Sequence, residues 1–380
     1  MDSAYARRHC LRSRIGRGSS RRRNALGSLA VAVYVVALSV LDLVPVRTGQ
    51  TSAQALQASM QLAERADQLG YRRYWFAEHH NMPAVASTVP PVLIAAAAAR
   101  TSRIRLGSGG VMLPNHSPLI VAEQFAALAA LAPGRIDLGI GRAPGSDPVI
   151  SQLLRRAGTT SDVERFPELL DEIAAFLATD GARLQFTSGG EYVVRATPAA
   201  DEAPQMWLLG SSDYSARLAA QLGLPYVFAN HFSGDGLERA LELYRGHYQP
   251  SLAHPEPRTL LTANVVVAPT QAEAEARALP QVRMMSRLRN GRPLTAIETV
   301  EEAERLEADD ALGASSLAAA RRRWFVGTPE ETGARLVAFA AAHGLDEIMI
   351  APVAGAFEAE AMDACPGREQ TLELLRASIR

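Results

Sequence analysis

The chain has 380 residues, of which 48% are hydrophobic and 21% charged, and its formal net charge is −1, a composition typical of soluble globular proteins. It contains no lysine, which excludes enzymes that form a Schiff base on a lysine or that bind phosphate through a Walker A lysine. The two cysteines, Cys10 and Cys365, are far apart in the sequence, so we expect a cytoplasmic protein with neither a disulfide framework nor a metal site.

The first residues are strongly basic. Residues 1–23 hold eight arginines against one acid, Asp2, and the apolar segment 25–41 follows them. A twin-arginine secretion signal has this order, but here no small-residue cleavage site separates the apolar segment from the first predicted strand. We therefore expect residues 1–36 to be a disordered extension, or the product of a misassigned start codon, with export and nucleic-acid binding as the alternatives. Residues 37–380 are expected to form a single domain with no membrane span.

From residue 37 onward, short apolar runs alternate with amphipathic helical stretches. This alternation predicts a parallel sheet built from strand–helix units. The predicted strands are 38–43, 73–77, 104–108, 136–140, 206–209, 224–228, 260–267 and 347–350. The predicted helices are 52–69, 90–99, 118–131, 213–222, 236–248, 271–285 and 329–343.

Eight strands with helices between them favour a (β/α)8 barrel, or TIM barrel, over two dinucleotide-binding halves. Two segments are longer than a plain barrel needs. One, at 144–204, follows the fourth strand, and the other, at 287–325, lies between the seventh and eighth strands. The second segment is rich in Arg, Glu and Ala and is a candidate lid.

Functional groups of a TIM barrel gather at the carboxyl ends of its strands. Here these ends read AEHHN at 77–81, GSGG at 107–110, GIGR at 139–142, GSS at 210–212 and ANHF at 229–232. Adjacent residues on a strand point to opposite sides, so His79 and His80 cannot bind one metal ion together. One of them could face the barrel mouth as a general base, or both could only hydrogen-bond loops.

Glycines at the third and fourth strand ends leave backbone open to a flat ligand. The segment GIGRAPG at 139–145 approximates a dinucleotide-binding loop, but its third glycine is one place late and Pro144 lies where the helix should continue. The turn GSSDYS at 210–215 ends a strand and begins a helix. Its amides and hydroxyls could bind an anion or could only cap the helix. Together with Arg142 from a neighbouring strand end, the turn predicts a phosphate site.

Several motifs, in this order and spacing, resemble those of the bacterial luciferase-like flavin-dependent monooxygenases. They are LSVLD at 38–42, WFAEHHNMP at 75–83, GSGGVMLPNH at 107–116, PGRIDLGIGRAPG at 133–145, LLGSS at 208–212 and VGTP at 326–329. The resemblance covers residues 37 to about 355. It implies a TIM barrel that binds reduced FMN at the barrel mouth and activates O2 at the flavin C4a.

Residue by residue, the resemblance assigns roles to positions of this chain. His79 corresponds to the catalytic histidine, and Gly109–Gly110 to a non-proline cis peptide bond beneath the flavin. Gly141 corresponds to the position beside C4a, and Arg142 to the phosphate-binding arginine. The serine-rich turn of the cofactor site corresponds to Gly210, Ser211, Ser212 and Tyr214.

The chain departs from luciferase itself at two of these positions. Luciferase has a cysteine where this chain has Gly141 and an acidic residue where it has Gly210. Light emission and aldehyde oxidation therefore do not follow from the resemblance.

The resulting expectation is an FMNH2-dependent monooxygenase that acts on a small organic molecule with O2. A separate reductase would supply the reduced flavin. Alternatives are an F420-dependent hydride-transfer enzyme on the same fold and a flavin-binding protein without turnover, because a fold does not fix a function. The alanine-rich second and third helices predict a homodimer, and no nucleic-acid or membrane partner is expected.

Overall fold

The computed structural model describes residues 35–143, 145, 148–156, 163–232, 234–307 and 322–379. Most of the basic extension expected at 1–36 lies outside these residues, as does the 308–321 part of the expected lid. Among the described helices, none combines the length and apolar character needed to cross a membrane.

The elements are numbered in chain order. The strands are β1 (Ala37–Asp42), β2 (Arg73–Phe76), β3 (Arg105–Ser108), β4 (Val111–Met112), β5 (Ile136–Gly141), β6 (Ala182–Gln185), β7 (Glu191–Val194), β8 (Gln205–Gly210), β9 (Tyr226–Phe228), β10 (Thr259–Val267), β11 (Phe325–Gly327) and β12 (Glu347–Pro352). The α-helices are α1 (Ser52–Leu69), α2 (Pro90–Ala98), α3 (Pro118–Leu131), α4 (Pro148–Arg156), α5 (Phe166–Leu177), α6 (Asp213–Gln221), α7 (Leu237–Gly246), α8 (Gln271–Arg289), α9 (Val300–Glu307), α10 (Pro329–His343) and α11 (Pro366–Ser378).

Eight of the strands close into a parallel barrel. Their order around the barrel is β1, β2, β3, β5, β8, β9, β10 and β12, and β12 pairs with β1 to complete the ring. These are the eight strands that the sequence predicts, so the predicted (β/α)8 fold is confirmed. Every residue of β5 and of β12 is buried, because helices cover the outside of a parallel barrel and side chains fill its inside.

The additional segments lie where the sequence is longer than a plain barrel. The first insertion contains α4, α5 and the antiparallel hairpin of β6 and β7. The second contains α9 and leads into β11, which pairs with β10. The sequence analysis did not predict α11, a helix after the last strand that begins at Pro366 and packs against α10, α1 and β10.

A charged and aromatic layer fills the amino-terminal half of the barrel. The Arg73 guanidinium donates to Asp137 Oδ2 at 2.7 Å and to Glu347 Oε1 at 2.8 Å. Trp75 Nε1 donates to the same Asp137 oxygen at 3.0 Å, and the Trp75 ring packs edge-on against Trp207 with 5.7 Å between ring centroids. This layer fills the inside of the barrel near the amino-terminal ends of the strands, and the sites of TIM barrels lie at the opposite, carboxyl ends.

Candidate functional site

A pocket of about 240 Å³ opens at the carboxyl ends of the barrel strands. The structure brings all nine candidate site residues together in its wall: His79, Gly109, Gly110, Gly141, Arg142, Gly210, Ser211, Ser212 and Tyr214. Most of the remaining wall is apolar and consists of Leu41, Ala77, Met112, Phe166, Leu209, Val227, Ala229, Phe232 and Met349. The pocket is therefore an apolar slot with a small number of polar groups, as is usual for cofactor sites.

One end of the pocket is suited to an anion. The Arg142 guanidinium lies 4.0 Å from the centre of the Tyr214 ring, and no carboxylate of the described residues pairs with it. Helix α6 begins beside it at Asp213, capped by Ser212, whose Oγ accepts from the Ser215 amide. The Asp213 carboxylate is held outward by Arg239 at 2.8 Å. An unpaired cation and the free amides of a helix start are the groups that bind phosphate.

Glycines form the floor of the pocket next to this end. The Gly109–Gly110 peptide bond is cis. A Cβ on Gly109 would lie 2.5 Å from Leu41 Cδ1, and one on Gly110 would lie 2.8 Å from the Gly139 carbonyl oxygen. A larger residue at Gly109 would displace the Leu41 side chain, and one at Gly110 would push against the backbone of β5, so both positions present bare backbone to a ligand.

Gly141 and Gly210, the two positions at which this chain differs from luciferase, have different amounts of space around them. A Cβ on Gly210 would meet Ser215 Oγ at 2.2 Å, so glycine is required there for α6 to pack on β8. A Cβ on Gly141 would meet only Met112 Sδ at 3.3 Å among close neighbours. Gly141 therefore leaves an opening in the pocket that a small side chain could fill.

His79 lies at the end of β2 with its ring in the pocket wall. Its backbone amide donates to the Ser87 carbonyl at 3.0 Å. Burial lowers the pKa of His79 below its usual value, opposed by the Gly145 backbone and by the charge of Glu78. Its Nδ1 is buried and has no hydrogen-bond partner within the described part of the chain. A neutral imidazole with a free nitrogen is able to accept a proton.

The sequence analysis gave no role to Glu78, which holds together the loop that carries His79. The Glu78 Oε1 atom accepts from His80 Nε2 at 2.9 Å and from His116 Nε2 at 2.8 Å, and its Oε2 accepts from the Met112 amide at 3.1 Å. Burial opposes ionisation, but these hydrogen bonds prevail and lower the pKa of Glu78 to about 2. His80 thus points away from the pocket and helps to fix the loop that carries His79.

Glu78 is expected to make stability depend on acid pH. Its pKa is lowered from 4.5 to about 2 in the folded protein, so its contribution is complete above pH 4.5 and is lost as the pH falls toward 2. The shift corresponds to about 3 kcal/mol. In urea unfolding at a series of pH values, Glu78→Gln should have a flatter stability profile than the wild type in this window, whereas the exposed control Glu256→Gln should follow the wild type. Parallel profiles for all three proteins would contradict this role.

His231 and Thr262 also line the pocket and received no role from the sequence. His231 Nδ1 lies 2.6 Å from Thr262 Oγ1. Burial is the larger cause and the nearby His79 the smaller cause of the low pKa of His231, which is about 3. The two histidines therefore lie close to each other in the pocket wall. The sequence feature that could have indicated His231 is the ANHF motif at the end of a predicted strand, residues 229–232.

The chain is similar over most of its length to a family model and to known protein sequences. The family model described as luciferase-like monooxygenase matches residues 36–347. The uncharacterised protein YvbT of Bacillus subtilis (strain 168) is 43% identical over 316 residues, which cover 82% of this chain and 90% of that protein. An N-acetyl-S-alkylcysteine monooxygenase of the same organism is 38% identical over 273 residues, 71% of this chain and 79% of that enzyme.

Solved structures are similar over almost their whole length. Apo-MsnO8 is 33% identical with a TM-score of 0.76, covering 91% of this chain and 98% of its own. The oxygenating constituent of 3,6-diketocamphane monooxygenase from Pseudomonas putida, in complex with FMN, is 19% identical with a TM-score of 0.67 over 90% and 98%. The coenzyme F420-dependent tetrahydromethanopterin reductase of Methanopyrus kandleri is 13% identical with a TM-score of 0.61 over 92% and 99%. The last two comparisons concern the fold alone.

Proposed function

Because the chain belongs to the luciferase-like monooxygenase family, we propose that it is a flavin-dependent monooxygenase that uses reduced FMN and O2 to oxidise a small organic molecule. The observation that carries the proposal is the pocket itself, which joins an anion-binding end at Arg142 to a glycine floor and a neutral histidine. A phosphate ester attached to a flat ring system is the kind of ligand that these two ends complement.

The residues present fit this cofactor. Arg142, Ser211 and the start of α6 would hold the phosphate, and Tyr214 keeps the Arg142 guanidinium in place by stacking. The bare backbone at Gly109–Gly110 would support the ring system, because side chains there would occupy the space. The unpartnered Nδ1 of His79 is a polar atom for which a bound ligand could supply the missing partner.

Each part of the site would then have its own task. Bound reduced FMN supplies the electrons that activate O2. His79 holds or accepts a proton beside the reacting groups, because its lowered pKa keeps it neutral at physiological pH. The apolar wall, with Leu41, Phe166 and Met349, excludes water from the site. The opening beside Gly141 leaves room for O2 or substrate.

The partners follow from the same proposal. A separate reductase would supply the reduced FMN, as the family resemblance implies, and the protein would act in the cytoplasm without a nucleic-acid or membrane partner. The N-acetyl-S-alkylcysteine monooxygenase shows that one relative is named for a small sulfur-containing substrate. We propose a small organic substrate for this chain as well.

The proposal is tested by measuring cofactor binding and then the oxidation of bound reduced FMN by O2. The purified protein is titrated separately with FMN, riboflavin and F420, and binding is followed by absorbance and fluorescence. Bound reduced FMN is then mixed with O2 in a stopped-flow instrument. Tight binding of FMN with a protein-dependent course of oxidation supports the proposal. Preferential binding of F420 would indicate a hydride-transfer enzyme, and FMN binding with oxidation no different from free flavin would indicate a binding protein without turnover.

A homodimer is expected to form through α2 and α3. These neighbouring helices carry large apolar side chains that are half or more exposed, namely Val92 at 63%, Ile120 at 50% and Leu131 at 73%. Large apolar side chains exposed on neighbouring helices are typical of interaction sites. Sedimentation should show a dimer at micromolar concentration, which Ile120→Arg weakens and the control Leu184→Arg, on the β6–β7 hairpin, leaves intact. A monomeric wild type would rule the interface out.

A further inference from the structure

His231 is held rigidly at the end of β9. Its amide donates to Thr262 Oγ1 at 3.2 Å, and its carbonyl accepts from Asn264 Nδ2 at 2.9 Å. The ring packs against Phe232, with 4.2 Å between the centroids. Both hydrogen-bond partners come from β10, the next strand of the barrel. These contacts hold the residue in place and orient its imidazole in the pocket wall.

The contacts of Thr262 favour one tautomer of His231. A hydroxyl donates once and accepts twice. Thr262 Oγ1 accepts from the His231 amide and lies 3.4 Å from the Phe228 carbonyl, to which it can only donate. The tautomer protonated on Nδ1 satisfies all three contacts, because the hydroxyl then accepts from His231 Nδ1, 2.6 Å away, and keeps its proton for the Phe228 carbonyl. The ring is then protonated on Nδ1, and Nε2 carries a lone pair.

The second ring nitrogen is available to a ligand. Among the described residues, none forms a hydrogen bond with His231 Nε2, and the residue lines the pocket. The pKa of His231 is lowered to about 3 by burial and by His79, so the ring stays neutral at physiological pH. The pocket wall that contains Arg142 thus also contains an uncharged hydrogen-bond acceptor.

We propose that His231 is a positioning residue whose Nε2 accepts a hydrogen bond from the ring system of bound FMN and thereby makes the site prefer the reduced form. This inference rests on the proposed function. With the phosphate at Arg142, the ring system would lie in the rest of the same pocket, whose wall includes His231 and His79. Two-electron reduction changes the flavin N5 from an acceptor into an N–H donor. The neutral Nε2 acceptor of His231 can therefore form a hydrogen bond with N5–H of the reduced ring. In the oxidised ring N5 is itself an acceptor, so this hydrogen bond cannot form.

The proton position can be tested without any flavin. In protein labelled with ¹⁵N-histidine, the shifts of His231, assigned by comparison with His231→Gln, should be those of a neutral ring protonated on Nδ1 between pH 6 and 8. A ring protonated on Nε2, or a charged ring, would overturn the inference.

Flavin binding tests the consequence. The dissociation constants of oxidised FMN and, anaerobically, reduced FMN are measured for the wild type, His231→Phe and His231→Gln. Loss of one hydrogen bond predicts that His231→Phe reduces the preference for reduced FMN about threefold to tenfold. The midpoint potential of the bound flavin would fall by about 14 to 30 mV, at about 29.6 mV per tenfold. His231→Gln, which keeps an acceptor oxygen near Nε2, should retain most of the preference.

Variants of Thr262 separate positioning from simple damage to the fold. Thr262→Val removes the acceptor for Nδ1 and should reduce the preference, whereas Thr262→Ser should restore it. Thr371→Val is the matched control, because Thr371 is equally buried and bonds only main-chain groups far from the pocket. If FMN binds and His231→Phe weakens both redox forms equally, the inference fails while the proposed function stands. If the wild type binds neither form, the proposed function fails, and the inference with it.

Discussion

Replacement of Arg142 by alanine is expected to weaken FMN binding about tenfold to a hundredfold. A charge-assisted hydrogen bond to phosphate contributes roughly 1.5 to 3 kcal/mol. In this chain no carboxylate of the described residues competes for the guanidinium, and stacking on Tyr214 at 4.0 Å already orders it. The stacking lowers the conformational cost of binding phosphate, and because the Arg142 side chain is exposed, solvent screening keeps the loss within this range.

Riboflavin provides the internal control for this experiment, because it has the flavin ring but no phosphate. Arg142→Ala should leave riboflavin binding unchanged. Arg239→Ala is the matched protein control, since Arg239 is an exposed arginine that pairs with Asp213 at the same helix start but does not line the pocket. Arg142→Lys should be intermediate, because lysine keeps the charge but neither the fork nor the stacking. An equal loss for riboflavin and FMN would show that Arg142 supports the pocket rather than the phosphate.

The sequence could predict the location of these groups because a parallel barrel brings the ends of all its strands to one rim. Recognising the strands that end in His79, Arg142 and Ser211 was sufficient to place residues far apart in the chain in a single pocket. The alternating apolar runs also determine the fold, since each buried strand must be covered by the helix that follows it.

The sequence could not predict contacts between those ends. Glu78 obtains its low pKa partly from His116, 38 residues away, and His231 obtains its orientation from Thr262, 31 residues away. No local pattern distinguishes such a buried carboxylate or imidazole from one on a surface. The two pocket glycines Gly141 and Gly210 look alike in sequence, yet one has open space beside it and the other is packed tightly against a helix.

His79→Ala is expected to leave FMN binding nearly intact and to slow the chemistry by roughly two to four orders of magnitude, the usual contribution of a general base. The phosphate end of the pocket does not involve His79, so the anchoring of the ligand is retained. The test combines flavin titration with stopped-flow oxidation of bound reduced FMN. The exposed His247, which follows the last residue of α7, supplies the control variant His247→Ala, which should behave as the wild type.

The protonation state of His79 should make the rate of oxidation depend on pH. The neutral imidazole is the active form, and burial lowers the pKa of His79 below 6.5. The wild-type rate should therefore stay constant down to pH 6.5 and decline only below it, as His79 becomes protonated. In His79→Ala this acidic limb should disappear, and added imidazole should recover part of the rate because the truncated side chain leaves space for it in the pocket wall. An unaltered oxidation course in His79→Ala, or a loss of FMN binding as large as that in Arg142→Ala, would remove the catalytic assignment and favour a flavin-binding protein without turnover.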